Sequence, residues 1–569
     1  MLQIATGRLF STPVGRQNRL RGALYTNAVI SDELDLEAVA GRLLPSSLQS
    51  VRPNVVIYEF TESMEGDDEG AGTLISSGVG PYLRDYAVVV SFALNCLCTP
   101  DIDLARRLAS DQRGVNTSVA PQKLVRRFFD HEVWCRPDEL RFLAQFTEKL
   151  LALPRRTFLG VMRSLRTYVN AMHRVGDDLE LAYTLLVASV ESLAQDFDGH
   201  ESDWESVDEG KRLAVDEALT GADEALALKV RNAILKAEHV ALARRFREFV
   251  TANITPAYFR APISADGPRL GRGELNEALR NAYQARSKYV HQLQRLPAVV
   301  TLGHAFGEAT LVDRSTHLTL QGLSRLMRDV IIEFVMRQPT LETEPYSYHG
   351  ERSGIIQMRL APQYWVGEAK GDLSSQGRDR FEGFLSQLAE CLLGLPNAVV
   401  TDLRPVLAAA SAVAPSLKRA QRLPYLALHL LFNHCVPEEH RAPTSPVMTR
   451  FIREELGSPG AESLVAHALT DRLPTWPLAV HEKTLQDYLV RRSRAKGLRL
   501  PAVFEVAITL DLAERFRCAG DMHACLALVA LAVEDHPSME GMLALEESVD
   551  ARVPIRWQTL LPAKEAAEG

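Results

Sequence analysis

Short runs of β-branched and aromatic residues mark the chain from Gly22 to about Thr99. They are GALYTNAVI, NVVIYEF, GTLISSGVG and AVVVSFAL, separated by Pro, Gly and Asp. This texture is strand-like and predicts a mixed α+β N-terminal domain over residues 1–150. The last run, extended as AVVVSFALNCLC (Ala87 to Cys98), is too short to cross a bilayer and reads as one or two buried strands or as a core helix. From Asp101 onward the apolar period becomes helical. Amphipathic segments at Phe158 to Met172, Leu179 to Phe197, Ala222 to Val250, Glu274 to Leu293 and Thr319 to Met336 predict a bundle of four or five helices over residues 151–338. The acidic stretch GHESDWESVDEG between the second and third segments reads as a solvated loop.

Residues 339–375 form a linker in which ERSGIIQMRLAPQYWVGEAKG has room for two short strands. Residues 376–569 are again rich in helix, split by APTSP (Ala442 to Pro446), GSPG (Gly457 to Gly460) and DHPSMEG. One unit there resembles a tetratricopeptide repeat, with Leu512, Ala513, Phe516, Cys525, Val529, Ala532 and Pro537 at its packing positions. The expected fold class is mainly α: a mixed α+β N-terminal domain, a helical bundle and a helical C-terminal module suited to a protein partner.

Composition narrows the function classes. The 569 residues carry 64 Lys and Arg against 72 Asp and Glu, a net charge of −8, so contact with RNA has to be local rather than a global basic field. Arg491, Arg492, Arg494 and Lys496 form the densest basic run, readable as a solvated helix end or as a phosphate-tracking surface. Seven cysteines cannot all pair within one molecule, which points to a reducing cytoplasm. No segment offers 18 uninterrupted apolar residues, and the expectation is a soluble protein with no membrane partner.

Several groupings have the right residue types for chemistry but incomplete spacing. Cys96 and Cys98 with distant Cys135 lack a second ligand pair, and His434, Cys435 and His440 lack a fourth ligand. Glu368 and Lys370 have no acidic partner placed on an upstream strand. Glu65, Asp67, Asp68 and Glu69 lack the ordered alternation of a calcium loop and read as a hairpin loop. No phosphate loop ending in Lys-Ser/Thr occurs. No metal and no cofactor is implied.

The stretch YQARSKYVH, residues 283–291, is different because of where its charge falls. Along the Glu274 helix the apolar stripe runs Leu275, Ala278, Leu279, Ala282 and Tyr283, and its next steps are Arg286 and Val290. A guanidinium on an inward stripe needs a carboxylate, with Glu191 the obvious candidate, or an anionic ligand. His291 lies five residues on, about 140° around the axis. The Arg-to-His spacing recurs at Arg126 and His131, Arg166 and His173, Arg422 and His429, and Arg517 and His523, so context discriminates, not spacing.

Arg286 and His291 near the end of a bundle helix resemble the Arg-x4-6-His motif of the HEPN superfamily, and ARSKYVH resembles its Apea-like branch. LAYTLLVASVESLAQDF (Leu181 to Phe197) and RRFREFV (Arg244 to Val250) are similar to that branch's second and third helices, in the same order. The resemblance covers residues 155–337. It implies a metal-independent endoribonuclease that dimerises to build a composite site, of the kind found in toxin, stress and antiviral defence systems. Under it His291 is the acid/base, Arg286 stabilises the phosphorane, Ser287 orients substrate or His291, and Lys288 adds charge. The family also contains non-catalytic scaffolds and RNA-binding modules, which is the alternative expectation.

Overall fold

Alternation near the N-terminus builds an antiparallel sheet. The structure is a computed structural model describing residues 1–30, 36–46, 53–65, 78–110, 114, 119–197, 204, 207, 209–237, 242–261, 267–302, 306–346, 348, 351, 360–472, 474–494 and 497–562. The chain divides into two compact units, Met1–Gln357 and Met358–Gly569.

In the first unit the strands are β1 (Val14–Thr26), β2 (Ala28–Val29), β3 (Leu36–Ala38), β4 (Gly41–Pro45), β5 (Asn54–Glu65), β6 (Cys98–Thr99) and β7 (Val133–Trp134). The main sheet has the order β3-β4-β5-β1-β6, with Leu24 opposite Val56 in the long β1/β5 ladder. Val56, Tyr58, Phe60, Glu62 and Met64 alternate onto its buried face, as a half-buried strand requires. Helix α1 (Gly80–Leu94) covers that face, stacking Tyr86 on Tyr58 at 4.4 Å and setting Tyr82 edge-on to Phe60 at 4.8 Å. The AVVVSFAL run is therefore helix and not strand. Its valines lie on a helix buried on nearly every side, and such a helix shows neither period 2 nor a polar face. GTLISSGVG lies outside the described residues except for Gly78 to Gly80, the last of which opens α1, and most of the acidic loop at Glu65 to Glu69 lies outside them too.

One apolar core continues across residue 150, from Leu24 through Phe92 and Phe146 to Val335. The unit's longer helices after α1 are α2 (Pro137–Leu151), α3 (Arg155–Arg174), α4 (Leu179–Phe197), α5 (Leu242–Ala252), α6 (Leu275–Gln292) and α7 (Leu320–Arg337), with Glu224–Ala237 and shorter helices between them. Helix α4 touches α3, α5, α6 and α7 and is their common packing surface. Within the helix expected from Ala222 to Val250, the described residues are helical over Glu224–Ala237 and over α5, and 238–241 lie outside them. Phe246, Phe249 and Val250 of α5 join the core, whereas Leu226 and Leu228 are exposed, so the bundle takes in the later half alone.

A hairpin of β8 (Ala309–Val312) and β9 (Ser315–Leu318) joins α6 to α7. Its turn residues Asp313 and Arg314 both have positive φ, 50° and 64°, which suits the twist of a two-residue hairpin without the usual Asn-Gly signal. Buried Glu308, at the hairpin's start, accepts from the Leu270 amide at 3.0 Å and pairs with Arg325, while its carbonyl accepts from the Thr319 amide at 3.1 Å. Gly322 in the first turn of α7 lies so close that an added Cβ would fall 1.9 Å from the Glu308 carbonyl oxygen.

The second unit is helical: Leu373–Leu392, Arg404–Val413, Arg419–Cys435, Pro446–Phe451, Ala461–Leu469, Leu478–Arg491, Ala502–Cys518, Met522–Asp535 and Met542–Ser548. The repeat-like unit is the antiparallel pair Ala502–Cys518 and Met522–Asp535. Leu512, Ala513, Phe516, Cys525, Val529 and Ala532 are buried there, while Pro537 is exposed past the helix end. Of the two short strands expected in the linker, the first lies outside the described residues. The second is a 3-10 turn, Pro362–Tyr364, followed by irregular chain. Arg380 takes up the carbonyls of Trp365 and Val366 at 2.9 Å and of Lys370 at 3.1 Å, leaving them no strand partner.

Two stability predictions follow from these contacts. Gly322→Ala should destabilise the protein by about 1–3 kcal/mol or more in urea denaturation. Gly273→Ala, at a glycine with open space around it, should change stability by less than about 0.5 kcal/mol. His481 is 1% exposed, accepts from Arg515 at 2.9 Å, and is held down to about 4, chiefly by burial with Arg515 and then His467 adding to it. The unfolded chain protonates this histidine near pH 6.5 and the folded chain does so only near 4. Stability is therefore complete above 6.5, falls by about 3 kcal/mol as pH drops from 6.5 to 4, and takes no further loss from this group below that. His481→Gln should flatten that part of a stability-versus-pH curve.

Candidate active site

Helix α6 is buried at its start and exposed at its end. Leu275, Ala278, Leu279 and Ala282 are almost wholly buried, Tyr283 and Arg286 are half-buried, and Val290 is 48% exposed. The inward stripe expected to reach Val290 thus leaves the core two turns early. The first half of the helix is clamped to the hairpin. Asn281 donates to the Ser315 hydroxyl at 2.8 Å and to the Thr316 carbonyl at 2.7 Å. Glu277 accepts from the Thr316 amide at 3.2 Å and the Ser315 hydroxyl at 3.1 Å, and these bonds hold its carboxyl below the usual carboxylate range. At the far end Leu293 closes the helix in the left-handed conformation, φ 52°, with its amide donating to the Tyr289 carbonyl at 2.9 Å.

Arg286 meets the carboxylate partner that its position demands. Its Nη2 lies 2.9 Å from Oε2 of Glu191, which is 3% exposed in the middle of α4. The Tyr283 hydroxyl donates to the other oxygen, Oε1, at 2.9 Å, and the Arg286 guanidinium sits 5.7 Å from the Tyr283 ring centre. Burial together with Glu191 raises the Tyr283 phenol above its ordinary range, so this hydroxyl stays a donor. Arg286, Tyr283 and Glu191 therefore form a charge-compensated group across the α4/α6 contact, in which Arg286 Nε is buried without a hydrogen-bond partner. An anionic ligand is not needed to account for the half-buried guanidinium.

His291 occupies the last turn of α6 and is exposed, flanked by Val290 and by Leu293, which is 75% exposed. Ser287 is half-buried and Lys288 exposed. Arg286 reaches inward to α4 while His291 projects about 140° away around the axis, and neither lines the two large cavities of this unit. Within one chain the two motif residues do not converge on one ligand.

The basic run expected as a phosphate-tracking surface is divided in the structure. Arg492 pairs with Glu505 at 2.5 Å and Asp535 at 2.9 Å, within a group that also holds Tyr488 and His536. It is thereby withdrawn from the phosphate-tracking surface. Arg491 and Arg494 are exposed, and Lys496 lies outside the described residues. Cys96 and Cys98 are buried free thiols, both pushed up by burial, and His434, Cys435 and His440 are exposed. Among the described residues no three His, Cys, Asp or Glu side chains are grouped as ligands, and no helix is long and apolar enough to cross a membrane. No motif in the sequence points to a cleft of the first unit lined by Arg126, Arg127, Arg136, Arg325 and Arg328. Its members come from segments about 200 residues apart and share no motif.

Comparison with protein-family models, with curated proteins and with solved structures finds no match for this chain.

Because Glu191 is buried, its pair with Arg286 should be strongly coupled. In a double-mutant cycle with Glu191→Gln and Arg286→Gln, Arg286→Gln alone should cost about 3–5 kcal/mol of stability, and the cycle should return a coupling of about 1–3 kcal/mol.

Proposed function

We propose that the protein is a metal-independent endoribonuclease of HEPN type whose site is completed by a second copy of the chain. The observation that carries this reading is the exposed end of α6. There Arg286 is fixed in place by Glu191 and Tyr283, and His291 stands in solvent between two exposed apolar side chains, Val290 and Leu293. Apolar residues flanking an exposed histidine suit a face that another surface covers. Two copies meeting at this end would bring the His291 of each toward the Arg286 of the other, which one chain alone does not do.

The chemistry follows from the residue types. An imidazole removes the proton of a ribose 2′-hydroxyl, and its oxygen attacks the adjacent phosphorus. A guanidinium stabilises the added charge on the phosphorane, and an acid protonates the departing 5′-oxygen. The products are a 2′,3′-cyclic phosphate and a 5′-hydroxyl. Two copies of His291 can divide the base and acid roles, and Arg286, anchored through Nη2, retains Nη1 for phosphate. Ser287 and Lys288 border the same turn.

A second reading has its own observation. Glu191 neutralises Arg286 within the chain, as it would in a non-catalytic HEPN-like scaffold that binds RNA or recruits a partner through its C-terminal helices.

Purified protein incubated with a mixed RNA pool in EDTA separates the two. The ribonuclease reading expects cleavage leaving 2′,3′-cyclic or 3′-phosphate ends. His291→Ala should abolish it, a fall of about 10²-fold or more, with stability changed by less than about 0.5 kcal/mol. Arg286→Ala should also abolish it, but only the exposed His291 separates chemistry from folding. Absence of cleavage in the wild type at every concentration that supports a dimer, or cleavage unchanged in His291→Ala, would favour the scaffold.

A further inference from the structure

We infer that the first unit binds a nucleoside phosphate in a cleft that the α6 motif residues do not line. The cleft, about 720 Å³, lies where the C-terminal end of α1, the segment around Val125–Glu139 and the first half of α7 meet. That volume suits a single small ligand.

Among the described residues its walls carry an excess of positive charge, in a chain whose net charge is −8: five arginines against Asp138, Glu139 and Glu308. The carboxylates are already shared out. Arg325 is engaged by Glu308, and Arg127 and Arg136 both approach Glu139, at 2.8 Å and 3.4 Å. Arg328 lies over the Phe92 ring, 5.7 Å from its centre, and its hydrogen-bond partners are carbonyls. Its Nε donates to Phe92 at 2.7 Å and its Nη2 to Ala93 at 2.6 Å, and among the described residues no carboxylate lies within ion-pair distance of it. The carbonyl end of α1 offsets part of that charge, and an anion in the cleft would offset the rest. Arginine forks match phosphate oxygens bidentately.

The same walls offer planar surfaces. Trp134, at the end of β7, is 69% exposed, and the Arg126 guanidinium sits 4.5 Å over the ring of Phe306. An exposed indole beside a cluster of guanidinium groups is suited to a ligand with a planar ring at one end and phosphate at the other. Backbone strain gathers here too. Arg127 and Phe306 line the cleft with φ of 67° and 58°, a conformation disfavoured for both and typical of places where a fixed geometry is functional, whereas Asn95, at 50°, is an ordinary left-handed cap of α1. The basic groups converge on one cavity instead of following a surface track, which favours a free nucleotide over a polynucleotide.

Calorimetric titration of the full-length protein with ADP, GDP and inorganic pyrophosphate tests the inference. Saturable nucleotide binding is expected, with pyrophosphate weaker. Trp134→Ala, at an exposed side chain, should weaken nucleotide about tenfold and leave pyrophosphate unchanged, whereas Arg126→Ala should weaken both by about tenfold. The inference is overturned if no nucleotide binds at about 1 mM, or if Trp134→Ala and Arg126→Ala, folded by circular dichroism, bind as the wild type does. It is overturned equally if an RNA oligonucleotide displaces the nucleotide and binds more tightly, since the cleft would then be an RNA track.

Discussion

A carboxylate in the middle of an apolar helix sets the arrangement of the first unit's bundle. Helix α4 is the element that α3, α5, α6 and α7 all touch, and Glu191 is the buried acid within it. Left alone, that charge would cost several kcal/mol. Tyr283 and Arg286 satisfy one oxygen each, which fixes both the height and the rotation of α6 against α4. The hairpin adds a second clamp at Glu277 and Asn281, so the exposed turns beyond Arg286 project from a firmly held base.

The same device recurs in both units, with arginine as its working part. Arg155 reaches Glu351 and Gln3. Arg422 binds Glu455 together with the carbonyls of Ala414 and Leu417, each at 2.7 Å. Arg380 and Arg328 collect carbonyls that regular structure leaves over. A planar five-donor group serves several acceptors at once where an ammonium would serve fewer. Part of this chain's arginine content is thus internal, and counting arginines in the sequence overstates the surface available for RNA.

Helix periodicity made the bundle legible. The helices around Leu165, Leu279 and Leu326 stand where the three- and four-residue repeat of apolar positions places them, because each has one face less buried than the other; α4, around Leu186, is the central helix they pack on, with Asp196 its one exposed residue. The run at Val88 to Val90 was ambiguous for the opposite reason: a helix dry on nearly all sides has no period to read. The β8/β9 hairpin was invisible because its turn is Asp313-Arg314 and its strands are four residues each. At the site, the pairing of Arg286 with Glu191 could be anticipated from the stripe, since a charge on a dry face needs a partner. The outward course of α6 beyond Arg286 could not, because Val290 continues the stripe in sequence while the bundle it would pack on has ended.

Leu293 has an evolutionary consequence. A left-handed helix terminus is suited to Gly or Asn, and a leucine there carries both backbone strain and an apolar side chain open to water. A chain selected for stability alone would lose this residue readily, since the exchange to Gly removes strain without opening a cavity. Under the proposed function, its presence beside His291 marks a position where thermodynamic optimum and use diverge. Drift toward Gly or Asn at this one residue would be the cheapest route by which a descendant could keep the fold while giving up whatever that surface does.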